Sequence, residues 1–249
     1  MAHTAYKRIV PGADTAVLFI HGIVGSPDHF RLLIPLEQLI PENWSVHNLL
    51  LPGHGGSVSD FASSSMENWR NYVLTAFEEL AMQHEQVIIV AHSMGTLFAL
   101  QLGVEYAQKV SFLFLLGVPL RPHLRPSMMF DSIRMVFGIL PQNHVLWKAG
   151  SVSLTGKLWK YLSWLPRFLE LFGEIGRTEK LLPHLKVPCV AWQSGLDELV
   201  SNASGRILEG SRVVEVRNLS QSTHYTYTPA DGSAILDDFQ NRIKKVSHD

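Results

Sequence analysis

The junction over residues 87–102 limits the fold more than any other stretch. Val87-Ile88-Ile89-Val90 is an unbroken β-branched run, followed at once by Ala91-His92-Ser93-Met94-Gly95. Thr96-Leu97-Phe98-Ala99-Leu100-Gln101-Leu102 then reads as a helix. A continuous apolar run leaves no face for solvent, so it predicts a parallel strand covered on both sides. Passing from strand to helix within so few residues requires a tight turn, and the small residues two places either side of Ser93 relieve collisions there. Such a turn lifts the serine hydroxyl clear of the sheet, near the positive end of the helix. A serine that only caps the helix has the same placing. Taken alone, the motif leaves nucleophile and cap equally open.

Similar runs recur at 16–20, 45–50, 112–116, 190–193 and 212–216, with helical patterns at 30–40, 66–82, 96–108 and 230–245. Strands alternating with helices predict an α/β fold with a doubly wound, mostly parallel sheet. The alternation lapses between about 120 and 182. Pro119, Pro122 and Pro126 introduce that stretch, and Pro183 and Pro188 close it. Within it Met129, Ile133, Val136 and Leu140 fall at helical spacing, as do Leu162, Leu165, Leu169 and Phe172. The expected organisation is a core of 1–119 and 183–249 with a helical cap, 120–182, inserted after the strand at 112–116. Most of the cap's apolar residues are expected to pack on the core. Met129, Ile133, Trp159 and Phe168 are the candidates to line an apolar substrate pocket.

At 249 residues and 46% hydrophobic content the chain supports one large core. A net charge of -1 supplies no basic field for a phosphate backbone, which disfavours nucleic acid as a partner. The single Cys189 excludes an intrachain disulfide. Residues 1–10 show no signal-peptide pattern, and no apolar run is long enough to span a bilayer. The expectation is a cytoplasmic protein without a transmembrane segment; oligomeric state is left open.

A serine nucleophile needs a base, and the base needs an orienting acid. In a parallel sheet these groups belong just beyond strand carboxyl ends, on the edge that carries Ser93. Asp197 follows the strand at 190–193, and His224 follows the last strand. Among twelve histidines His224 alone holds that position. Asp197 also suits a plain turn, and Glu198 is the alternative acid. Backbone donors for a tetrahedral oxyanion are expected at Met94, next to the serine, and at Ile23 in the loop His21-Gly22-Ile23-Val24-Gly25-Ser26-Pro27. A nucleotide-binding turn there would need a lysine at a spacing this loop lacks. No His-Glu-x-x-His helix or cysteine pair suggests zinc, so neither metal nor cofactor is expected.

His21-Gly22-x-x-Gly25, Leu51-Pro52-Gly53-His54-Gly55-Gly56-Ser57, Ala91-His92-Ser93-Met94-Gly95, Gly195-x-Asp197-x-x-Val200 and His224 together resemble the α/β-hydrolase superfamily. The resemblance covers nearly all of the chain outside the cap. It is nearest to small bacterial carboxylesterases and monoacylglycerol-lipase-like serine hydrolases. Ala91 stands where the usual elbow has glycine. The resemblance implies Ser93 as nucleophile, His224 as base and then acid, Asp197 as orienting acid, and Ile23 and Met94 as oxyanion donors. The implied reaction is cleavage of a small-molecule carboxylic ester with an apolar acyl or alcohol portion. A thioesterase or acyltransferase would use the same residues. A lyase or carbon–carbon hydrolase could reuse them without an acyl-serine, and a binding protein could keep the fold without turnover.

Overall fold

The computed structural model describes residues 3–246. Seven strands form one sheet: β1 (Tyr6–Arg8), β2 (Thr15–Ile20), β3 (Ser45–Asn48), β4 (Gln86–His92), β5 (Val110–Leu116), β6 (Cys189–Ser194) and β7 (Val214–Leu219). Their spatial order is β1-β3-β2-β4-β5-β6-β7. β1 pairs antiparallel with β3, and the other pairings are parallel. The helices are α1 (Val58–Ser63), α2 (Met66–Gln83), α3 (Gly95–Glu105), α4 (Pro126–Val136), α5 (Leu146–Ala149), α6 (Leu165–Leu181), α7 (Ala203–Leu208) and α8 (Pro229–Val246). This is the doubly wound α/β architecture expected from the alternation.

Strand side chains alternate between two apolar layers, because successive Cβ atoms point to opposite faces. Leu18, Ile20, Ile89 and Ala91 join Trp69 and Phe77 of α2 and Leu97 of α3 on one face. Val17, Phe19, Val90 and Phe114 join Ile235 and Phe239 of α8 on the other. Burial on both faces accounts for unbroken apolar runs in the central strands.

Several expected boundaries shift. The helix expected at 30–40 is instead a π turn, His29–Leu33, and a 3-10 turn, Leu36–Leu39. Pro35 divides them: it lacks an N–H and disfavours helical geometry before it, and Ile34 is extended at φ -139° and ψ 102°. The strand expected at 212–216 lies at Val214–Leu219, where the sheet edge tolerates Glu215, Arg217 and Asn218. The helix begun at 96 ends at Glu105. Three short elements, β1, α1 and α7, have no counterpart among the expected ones. For α1 a signal existed: Ser57 and Asp60 form a capping box, each side chain bonded to the other's backbone N–H.

The lapse between β5 and β6 is filled by α4, α5, a 3-10 helix (Leu158–Trp164) and α6. The later part of α6 lies against α3, where Gln101 Nε2 donates to Glu174 Oε1 at 2.7 Å and to Thr178 Oγ1 at 2.9 Å. Among the described residues no helix is long and apolar enough to cross a membrane.

Candidate active site

The strand order reverses about β2, with β3 on one side and β4 on the other. Loops after β2 and β4 therefore diverge at the carboxyl edge and leave a crevice, the usual ligand position in such sheets. Ser93 stands there, in the turn between β4 and α3. Its φ of 52° is left-handed, a conformation costing a non-glycine residue roughly 1–3 kcal/mol. Neighbours hold the strain in place: Ser93 N–H donates to Leu116 O at 2.8 Å, and Ser93 O accepts from Thr96 N at 2.9 Å and Thr96 Oγ1 at 2.6 Å. Ala91 is fully buried in the sheet. A Cβ on Gly95 would stand 2.4 Å from Ile20 O, so the helix can follow the turn only with glycine there.

The two distant groups meet beside this turn. His224 Nδ1 lies 2.8 Å from Asp197 Oδ2, and the two side chains are 0% and 2% exposed. Asp197 Oδ1 accepts from the N–H groups of Leu199 and Val200, each at 2.8 Å. Burial pushes the Asp197 carboxyl up, but His224 and those two N–H groups outweigh it, and the pKa lies below the ordinary value. Glu198 engages the backbone instead, its Oε2 accepting from the N–H of His224 at 3.0 Å. Gly117, directly after Leu116, closes the link to Ser93. Its φ is +62°, and a Cβ there would lie 3.5 Å from His224 Cε1 and 3.8 Å from Asp197 Oδ2. His224 Nε2 is buried and has no hydrogen-bond partner among the described residues. An imidazole fixed through Nδ1 with Nε2 free can accept a proton from a hydroxyl.

The loop after β2 lies against the serine, since a Cβ on Gly22 would meet Ser93 Cβ at 2.7 Å. Leu51 N–H donates to His21 Nε2 at 3.1 Å, leaving Nδ1 to donate to Gly22 O at 2.8 Å. Val24 has a φ of 58°, unusual for a β-branched residue. Ser151, from the stretch between β5 and β6, clasps the same loop: its N–H donates to Val24 O at 3.0 Å and its Oγ to Gly25 O at 2.6 Å. Among the described residues no protein acceptor engages the backbone N–H of Ile23 or Met94. Two N–H groups left unpaired beside a serine suit a developing oxyanion.

The model of the family described as "Alpha/beta hydrolase family" matches residues 17–234. The chain belongs to this family. Two curated relatives match over shorter spans. One is the dihydrolipoyllysine-residue acetyltransferase component of the acetoin cleaving system of Cupriavidus necator, 37% identical over 42% of this chain and 26% of its own length. The other is a carboxylesterase of Bacillus subtilis, 29% identical over 37% of each chain. This α/β hydrolase thus aligns with only about a quarter of the first relative's length and a little over a third of the second's. Among solved structures it is similar to one from a study of LipS and LipT, metagenome-derived lipolytic enzymes. The TM-score is 0.73 at 20% identity, over 98% of both chains.

Behind the candidate base of this α/β hydrolase lies a group of buried imidazoles. His92 stacks on His29 with ring centroids 3.7 Å apart and lies 4.7 Å from the His224 ring. His92 Nε2 is 3.2 Å from His224 O, and His29 Nε2 is 3.1 Å from Tyr227 Oη. Burial first, and then neighbouring imidazoles, lower both pKa values well below the ordinary range, so the pair is neutral at pH 7. His92 stands inside the serine motif, but nothing in the sequence links it to His29, and nothing marks Ser151. The four residues expected to line a pocket stand open to water: Met129, Ile133, Trp159 and Phe168 are 43%, 46%, 65% and 37% exposed.

Proposed function

We propose that this α/β hydrolase is a serine hydrolase of small-molecule carboxylic esters with an apolar acyl or alcohol portion. The observation that carries the reading is the buried His224–Asp197 pair at 2.8 Å, with an unpartnered Nε2 beside the strained Ser93 turn. In the proposed reaction Ser93 Oγ attacks the acyl carbonyl and its proton passes to His224 Nε2. Asp197, held ionised, fixes the Nδ1–H tautomer and stabilises the imidazolium. The oxyanion accepts hydrogen bonds from the Ile23 and Met94 N–H groups. Collapse breaks the ester C–O bond, and Nε2 returns the proton to the departing alcohol. Water, deprotonated by the same nitrogen, then releases the acid and restores Ser93. The neutral His29–His92 pair suits this cycle, because a second cation there would oppose the imidazolium.

We further propose that 120–182 acts as a cap on the core of 1–119 and 183–249. It is supported by the Ser151 contacts and by the N–H groups of His123 and Arg125, which donate to Leu199 O and Glu198 O, each at 2.9 Å.

The test is turnover of chromogenic esters of increasing acyl length, beside matched thioesters, by wild type and Ser93→Ala. Ester turnover lost in the variant supports the reading. A strong preference for thioesters moves the substrate class, and undiminished activity in Ser93→Ala removes the acyl-serine.

A further inference from the structure

Apolar side chains are distributed unevenly over the outside of the molecule. Of nineteen large apolar residues that stand exposed among the described residues, thirteen fall within 124–172. They follow helical order. On α6, Leu165, Phe168, Leu169 and Phe172 repeat at i, i+3, i+4, i+7, and the preceding 3-10 helix adds Leu158 and Leu162. On α4 and its C-cap, Phe130, Ile133 and Phe137 form a second stripe. The opposite side of each is seated: Met128 of α4 packs with Leu140 and Leu146, and on α6 Leu171 packs against the main core while the buried Glu174 accepts from Gln101. These are finished amphipathic helices with the apolar face turned to water, and that face lacks a partner within the described chain.

Charge indicates what the partner is. Residues 120–182 carry nine Lys or Arg against four Asp or Glu, whereas the rest of the chain carries twelve against eighteen. The near-neutral total hides a basic segment on an acidic body. Lys148, Lys157 and Lys160 are exposed and have no carboxylate partner among the described residues; two of them flank Leu158 and Trp159. An exposed apolar stripe edged with lysines is how a helix lies in the interface of an anionic bilayer, its apolar face in the acyl boundary and its cations among headgroups. A second copy of the chain would instead bring two surplus-positive faces together. The acidic remainder would be repelled by the same surface, which fixes the orientation.

We infer that 124–172 docks on an anionic lipid surface through these stripes. Its ties to the loops of Asp197 and Ile23 then bring the Ser93 crevice to the lipid side. Docking does not depend on ester cleavage, so it is measured on Ser93→Ala protein. The readout is flotation with vesicles of equimolar phosphatidylcholine and phosphatidylglycerol, against phosphatidylcholine alone. The expected result is flotation with the mixed vesicles, weakened at least about tenfold by phosphatidylcholine alone or by high salt. Lys157→Gln with Lys160→Gln weakens it roughly 25-fold, at about fivefold per lysine. Phe130→Ser, Phe137→Ser, Leu162→Ser and Leu169→Ser together abolish it; placed in the wild-type background they leave turnover of a water-soluble short-chain ester and the thermal midpoint intact. Ser93→Ala protein that stays with the unbound fraction overturns the proposal. So does a lipid-indifferent dimer that the four serines dissolve, since the face would then belong to a second copy.

Discussion

Leu18, Val90 and Phe114 in the sheet are fully buried, whereas Leu162, Leu169 and Phe172 of the β5–β6 stretch are 75%, 60% and 58% exposed. Both regions are rich in apolar residues, so composition does not separate them. In the sheet, side chains leave both faces and two helix layers must cover them. The helices of 124–172 have one face seated and one free. Hydrophobicity in the sheet builds the scaffold that carries Ser93, Asp197 and His224; in the other region it is left over for a partner. An apolar pattern shows which residues share a face, while topology decides whether the fold itself covers it.

That contrast can be broken at defined points. The largest effect is expected where buried polar groups meet at the sheet edge. Asp197→Asn should lower kcat on a good ester by roughly 10⁴-fold, since an amide supports the wrong imidazole tautomer. Glu198→Gln, whose side chain accepts from the His224 backbone N–H, should cost far less; the reverse order in steady-state kinetics would move the orienting role to Glu198. Next comes packing. Leu113→Ala, at a fully buried sheet position, should cost about 2–5 kcal/mol in denaturant unfolding.

Acid provides a graded test of the same core. Burial lowers the His21 pKa to about 4, and His29, His54 and His92 are lowered well below 6.5. Unfolded chains bind protons at these sites near pH 6.5, while the folded state resists them. Stability is therefore complete above about pH 6.5 and falls as pH drops toward 4. A thermal midpoint that stays level from pH 7 to 5 would contradict neutral, buried imidazoles. The smallest change is expected outside: Leu162→Ala should alter unfolding by no more than about 0.5 kcal/mol. A core-sized loss there would show that the 124–172 face is already covered in solution.

Much of this can be read from the residues. Unbroken β-branched runs place the central strands, because burial on both faces leaves nothing else for those positions. Strand ends then order Ser93, Asp197 and His224 along one edge. The helix expected at 30–40 fails because Pro35 overrides the apolar spacing around it. β1 is hidden because Tyr6, Lys7 and Arg8 are too short a run to signal a strand and owe that state to pairing with β3. The choice between Asp197 and Glu198 depends on side-chain direction at adjacent positions, which spacing does not encode. The His29–His92 stack and the Ser151 clasp join residues far apart in the chain, and no local signal marks either. Helical spacing puts Met129, Ile133, Trp159 and Phe168 on apolar faces; spacing cannot say which way those faces turn.

The central claim is that Ser93 is a nucleophile activated by His224 and not a helix cap. A fluorophosphonate probe tests this most directly, because it reacts with a serine hydroxyl only when a base removes its proton. Mass spectrometry of the labelled, digested protein should locate one adduct, on Ser93, and the adduct should disappear in His224→Ala. An unlabelled Ser93 in folded protein, or labelling that persists without His224, would contradict the account.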